Sequence, residues 1–172
     1  MFGYLPDLNL FAPPLARVAP VHDPAPPARL TGRVVLVLVD GLRLDTSLGL
    51  PFLDGLRERG ISARATSHYP SLSRPNYVSI VAGVPPEASG VRTNDYARRL
   101  PFDSLIERAT RAGRSVAYVS DSTNALPQLF GGDLDGAVAT WPGGLEVAAH
   151  NALATGHDLV IILPGEVDLA GH

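Results

Sequence analysis

The hydrophobic pattern begins at residue 34. Arg33-Val-Val-Leu-Val-Leu-Val-Asp40 is an unbroken β-branched and Leu run that ends in an acid and Gly41. Such a run has strand length and predicts a central strand buried on both faces. In Pro51 to Gly60 the apolar residues Phe52, Leu53 and Leu56 share one side, with charges opposite, Pro at the start and Gly at the end. That arrangement predicts a short amphipathic helix packed on the sheet. Ile61 to Tyr69 alternates enough to predict a second strand. Tyr77 to Ala82 predicts a helix with Pro75 in its first turn, and Val84 to Val91 reads as a loop.

Phe102 to Ala112 has helical spacing at Leu105, Ile106 and Ala109, and strand-like Ser115 to Ser120 follows. A helix around Ala125 to Phe130, a weak strand at Ala137 to Thr140, a helix from Leu145 to Thr155 and a strand from Asp158 to Leu163 complete the pattern. Strands alternate with helices, which predicts a layered α/β/α fold with a mostly parallel sheet over residues 31–172. Residues 1–30 hold nearly half of the prolines and have neither period, so they read as an extended leader or linker.

Composition narrows the chemistry. With 45% hydrophobic residues, 18% charged residues and a formal net charge of -3, the 172-residue chain is a globular domain, or part of one. It has no field that would collect nucleic acid. It has no Cys, and all 14 basic residues are Arg. Thiolate, disulfide and Schiff-base lysine chemistry are therefore excluded, and any metal must be held by Asp, Glu, His or a hydroxyl. No apolar stretch approaches the roughly 20 residues that span a bilayer, and the N-terminus lacks the basic region of a secretory signal.

In open α/β sheets, ligands bind beyond the carboxyl ends of the strands. Asp40 follows the first strand and Asp168 lies shortly after the last. Asp168 and His172, at i and i+4, can reach one ion if the segment turns helically. Ser73, in Pro-Ser-Leu-Ser-Arg-Pro-Asn before a predicted helix, is the candidate hydroxyl, although Ser71 and Ser73 could equally serve as caps. Free serine is a poor nucleophile, and no G-x-S-x-G surrounds it, so metal activation is the more economical route. Asp121, in Val-Ser-Asp-Ser-Thr-Asn, reads as a turn and helix cap. Arg43 and Arg74 border the candidate site, whereas His22, His68, His150 and His157 read as surface or structural histidines.

Together these motifs resemble the alkaline phosphatase superfamily. They are Leu-Val-Asp40-Gly-Leu-Arg43, Tyr-Pro-Ser-Leu-Ser73-Arg-Pro-Asn76-Tyr, Val-Ala-Gly83-Val-Pro-Pro-Glu-Ala-Ser-Gly90-Val, Asn94 and Asp168-Leu-Ala-Gly-His172. The branch they most resemble is the type I phosphodiesterases or nucleotide pyrophosphatases. The resemblance implies that Asp40 binds one metal, that Ser73 is the nucleophile and touches the same metal, and that Asp168 and His172 bind a second. It further implies that Asn94 donates to a phosphoryl oxygen, while Asn76 shapes the turn behind the nucleophile. Two divalent ions, Zn2+ or else Mn2+ or Mg2+, would sit about 4 Å apart and support in-line displacement through a phosphoserine. The sulfatase signature C/S-x-P-x-R is broken, because Tyr77 stands where its Arg would be.

The family pattern continues beyond a D-x-x-x-H motif with an Asp-His pair and a further His, which this chain does not contain. The resemblance therefore implies the N-terminal portion of a longer protein or a truncated product. Apolar sheet edges or faces are then expected to be exposed, and the chain alone is expected to be inactive. The expected substrate is a small phosphate ester, a phosphodiester or nucleotide pyrophosphate, with a phosphomonoesterase or phosphomutase as the alternative. A non-catalytic module without a complete metal site is the alternative from another class. Many relatives are exported or membrane-attached, which extends that expectation to a parent protein.

Overall fold

The computed structural model describes residues 31–121, 124–131, 138–141 and 144–171. The predicted leader and His172 lie outside the described residues. Among the described residues, four strands form one sheet: β1 (Val34–Val37), β2 (Val116–Ser120), β3 (Val138–Trp141) and β4 (Leu159–Leu163). Their order is β1-β4-β2-β3 and every pairing is parallel, with Val34 opposite Leu159, Leu159 opposite Val116 and Val116 opposite Val138. The helices are α1 (Leu44–Ser47), α2 (Pro51–Arg59), α3 (Ser73–Ala82), α4 (Pro86–Ser89), α5 (Leu105–Arg111), α6 (Ala125–Phe130), α7 (Leu145–Thr155) and α8 (Glu166–Gly171).

The period of two along the inner strands divides the interior. Val116 and Tyr118 of β2, with Leu159, Ile161 and Leu163 of β4, face a core that contains Val78 and Val81 of α3, Ile106 of α5 and Leu126, Leu129 and Phe130 of α6. Ala117, Val119 and Val160 face the other side, where Ala148 and Ala152 of α7 close on them. Small residues on α7 let its backbone approach the sheet. The result is the layered α/β/α arrangement that the alternating pattern predicts.

Four expectations need correction. The Val34 run is not buried on both faces: β1 lies at the sheet edge, and Val34, Val35, Val37 and Val39 are all exposed. Helix α2 forms, but it buries no residue, and Phe52 is 73% exposed. A polar latch holds it instead, with Arg57 donating to the Ser47 carbonyl (2.9 Å), the Ser47 hydroxyl (2.8 Å) and Asp54 (2.6 Å). Ile61 to Tyr69 is not a strand but an exposed extended segment without a ladder. Ala63 and Ala65 bring too little apolar area to repay ordering against a sheet. Val84 to Val91 also contains a helix, α4, because Pro86 starts a turn that Gly90 ends at φ 74°.

Candidate active site

All four strands run the same way, so their carboxyl ends open on one side of the sheet. Beyond β1 the ladder continues as Leu38 N–H donates to the Ile162 carbonyl (2.9 Å), and the chain then turns at Asp40 and Gly41. Asp40 Oδ1 accepts the Gly41 N–H at 2.9 Å. Its Oδ2 accepts two hydroxyls, Ser73 Oγ at 2.7 Å and Tyr77 Oη at 2.6 Å. Three donors thus fix one carboxylate.

Ser73 and Tyr77 reach the same oxygen because they lie at i and i+4 of α3, on one helical face. The cap position of α3 is Leu72, and no side chain caps it, so neither Ser71 nor Ser73 has the capping role. Asn76 builds the turn in front of the helix. Its Oδ1 accepts the His68 N–H (2.9 Å), and its Nδ2 donates to the carbonyls of Leu72 (2.9 Å) and Pro70 (3.2 Å). The ring of Tyr77 is buried. Burial, followed by the hydrogen bond to Asp40, pushes its phenol well above the ordinary range, so the hydroxyl remains a donor at neutral pH.

Asp168 arrives from the other end of the chain, half-buried on α8. Gly41 has φ 72°, and a Cβ built there would lie 2.7 Å from Asp168 Cα and 3.0 Å from its N. The absence of a side chain at 41 is what lets the two carboxylate-bearing turns touch. Asp121 is not a helix cap: its Oδ1 accepts the Gly165 N–H (2.9 Å) and so ties down the turn between β4 and α8. Asn94 Oδ1 accepts the Arg74 N–H (3.0 Å), which leaves the NH2 of that amide as its donor side.

These residues enclose a cleft of about 270 Å³ lined by Asp40, Ser73, Arg74, Tyr77, Asn94, Gly165, Asp168 and Leu169. The structure therefore brings together Asp40, Ser73, Asn94 and Asp168, separated by long stretches of sequence. Arg43 is not among them; it forms a two-pronged pair with Asp45 (2.9 and 2.6 Å) on the exposed surface. Arg74 lines the cleft, but its guanidinium donates to the Tyr96 carbonyl. His150 is exposed on α7, and no described histidine lines the cleft. A second cavity, about 160 Å³, lies at the opposite ends of the strands between Val34, Leu105, Ala109 and Leu159, and is largely apolar.

Tyr77 is a polar lining residue that sequence reasoning did not select, because Ser73 reads as preceding the helix and the i, i+4 relation exists only once α3 begins at Ser73. Asp40, Asp168 and the Ser73 hydroxyl present oxygen donors to one cleft, which suits a divalent cation such as Mg2+ or Mn2+, and Zn2+ in part. Among the described residues, no three or more Asp, Glu, His or Cys gather as a complete set.

Residues 34–158 match the family model described as type I phosphodiesterase / nucleotide pyrophosphatase. The matched stretch includes Asp40, Ser73, Tyr77 and Asn94 and ends before Asp168. No curated protein and no solved structure matches the chain.

Proposed function

Because the chain belongs to the type I phosphodiesterase / nucleotide pyrophosphatase family, we propose that Ser73 is the nucleophile of a phosphoester hydrolase acting on phosphodiesters or nucleotide pyrophosphates. The observation that carries this reading is the 2.7 Å bond from Ser73 Oγ to Asp40 Oδ2 inside the cleft. Ser73 releases its proton toward Asp40 Oδ2 and forms a bond from Oγ to phosphorus as the bond to the leaving oxygen breaks. The leaving group takes up a proton from solvent. Water then attacks phosphorus, Asp40 returns its proton to the departing Ser73 oxygen, and a phosphate monoester carrying the water oxygen is released.

Asn94 supports the same reading, because its amide NH2 can donate to a phosphoryl oxygen at the cleft wall. Asp40, Ser73 and Asp168 are the described residues that would hold divalent cations, with His172 as a fourth donor. Bound there, such ions would lower the cost of negative charge on the attacking and leaving oxygens.

The test is hydrolysis of bis-p-nitrophenyl phosphate and p-nitrophenyl phosphate by the intact protein supplied with Zn2+, beside Ser73→Ala. The diester should be preferred, and Ser73→Ala should lower turnover by at least about a thousandfold. Preference for the monoester would move the assignment to a phosphomonoesterase. Undiminished turnover by Ser73→Ala would remove the nucleophile assignment.

A further inference from the structure

Tyr77 is a buried residue whose one polar atom is spent on the carboxylate beside the candidate nucleophile. We propose that Tyr77 is a positioning residue: its hydroxyl holds Asp40 in the one orientation that serves both Ser73 and a cation. The proposal rests on the reading of Asp40 as a cation-binding carboxylate.

Three observations carry it. First, Tyr77 Oη lies 2.6 Å from Asp40 Oδ2, the same oxygen that accepts Ser73 Oγ. The Gly41 N–H and the Ser73 hydroxyl also hold this carboxylate, but the serine hydroxyl must give up its bond to react; Tyr77 is the third donor and, among the described residues, the one side-chain donor that stays in place when Ser73 leaves. Second, the mount is rigid. The Tyr77 ring is 5% exposed and packs in the core with Val78 and Val81 of the same helix, so the hydroxyl position is set by the interior and not by solvent. Third, Ser73 and Tyr77 ride on one helix, which fixes the two hydroxyls relative to each other and brings both to the same oxygen of Asp40.

Hydroxyl donors that orient a metal-binding carboxylate commonly alter cation affinity by about 10–100-fold when removed. Tyr77→Phe keeps the buried ring and deletes only the oxygen. Calorimetric titration of the purified chain with Zn2+ should therefore show affinity lowered at least about tenfold in Tyr77→Phe. In an Asp40→Asn background, the same substitution should change affinity by less than about twofold, an absence of effect that a merely structural role would not produce. Parental affinity in Tyr77→Phe, or an equal loss in both backgrounds, overturns the proposal.

If the parent chain takes up none of Zn2+, Mn2+ and Mg2+, the cation reading of the site has failed, and a metal-free measurement decides on Tyr77 alone. The carbon-13 resonance of the Asp40 carboxyl is compared between parent and Tyr77→Phe. A shift confined to Asp40 and Ser73 supports the positioning role, and an unchanged resonance overturns it.

Discussion

A methyl group at residue 41 would lie 2.7 Å from the Asp168 backbone, which cannot rotate out of the way as a side-chain tip would. Gly49 and Gly113 also have positive φ, 89° and 69°, but nothing lies within 4 Å of a Cβ built at either. The three glycines therefore separate two costs. Gly49→Ala and Gly113→Ala should lose about 1–2 kcal/mol from the left-handed conformation alone and leave the cleft intact. Gly41→Ala should lose more in thermal unfolding and should also weaken Zn2+ uptake, because Asp168 must move. Equal losses at all three positions, with unchanged Zn2+ binding, would show that the contact between residues 41 and 168 has no part in the site.

Among the elements, α5 shows how local chemistry fixes a boundary. Ser104 is buried, and its Oγ accepts the Glu107 N–H (3.2 Å), satisfying one of the orphan donors in the first turn. Ser104→Ala should cost about 1 kcal/mol, read from the urea midpoint. The inner strands and α7 were legible because period and burial agree there: Val116 to Val119 and Leu159 to Leu163 are apolar and meet helices on both sides. The Val34 run has the same composition yet lies at an edge, since composition reports suitability for burial and not which neighbours are present. The α2 stripe misled for a related reason, as its position is set by Arg57 and Ser47 through polar bonds that hydrophobic spacing does not encode. Asp40 and Asp168 were legible as acids placed after strands and Ser73 as a hydroxyl ahead of a helix, whereas Asn94 was reached only through the family resemblance. Tyr77 and Asp121 were missed because their roles depend on where a hydroxyl and a carboxylate point across the interior.

For the molecule as a whole, the buried phenols set an alkaline limit on stability. Burial pushes Tyr118 up to about 12, and Tyr77 shifts in the same direction. Between pH 10 and 12 the unfolded chain releases its phenolic protons while the folded chain retains them, so stability is full below pH 10 and declines as pH rises toward 12. Tyr118 alone accounts for a loss of about 3 kcal/mol over that window. Urea unfolding at about pH 9 and about pH 11.5 should show this decline, and Tyr118→Phe should reduce it. An equal decline in both proteins would assign the effect elsewhere.

Strand order also bears on how the molecule is made. Among the described residues, β1 pairs with β4 and with no other strand. During synthesis the valines of β1 leave the ribosome first and wait for residues 159–163, while β2 can pair with β3 before β4 exists. Closing so long a loop is slow, and an apolar strand without a ladder is a site of aggregation while it waits. A nascent chain cut off before β4 would carry both Asp40 and Ser73 but neither the strand that seats the first nor the turn that brings Asp168 against Gly41. Its cleft would be among the last features to form, which makes an early-released fragment a client for chaperones rather than a weak catalyst.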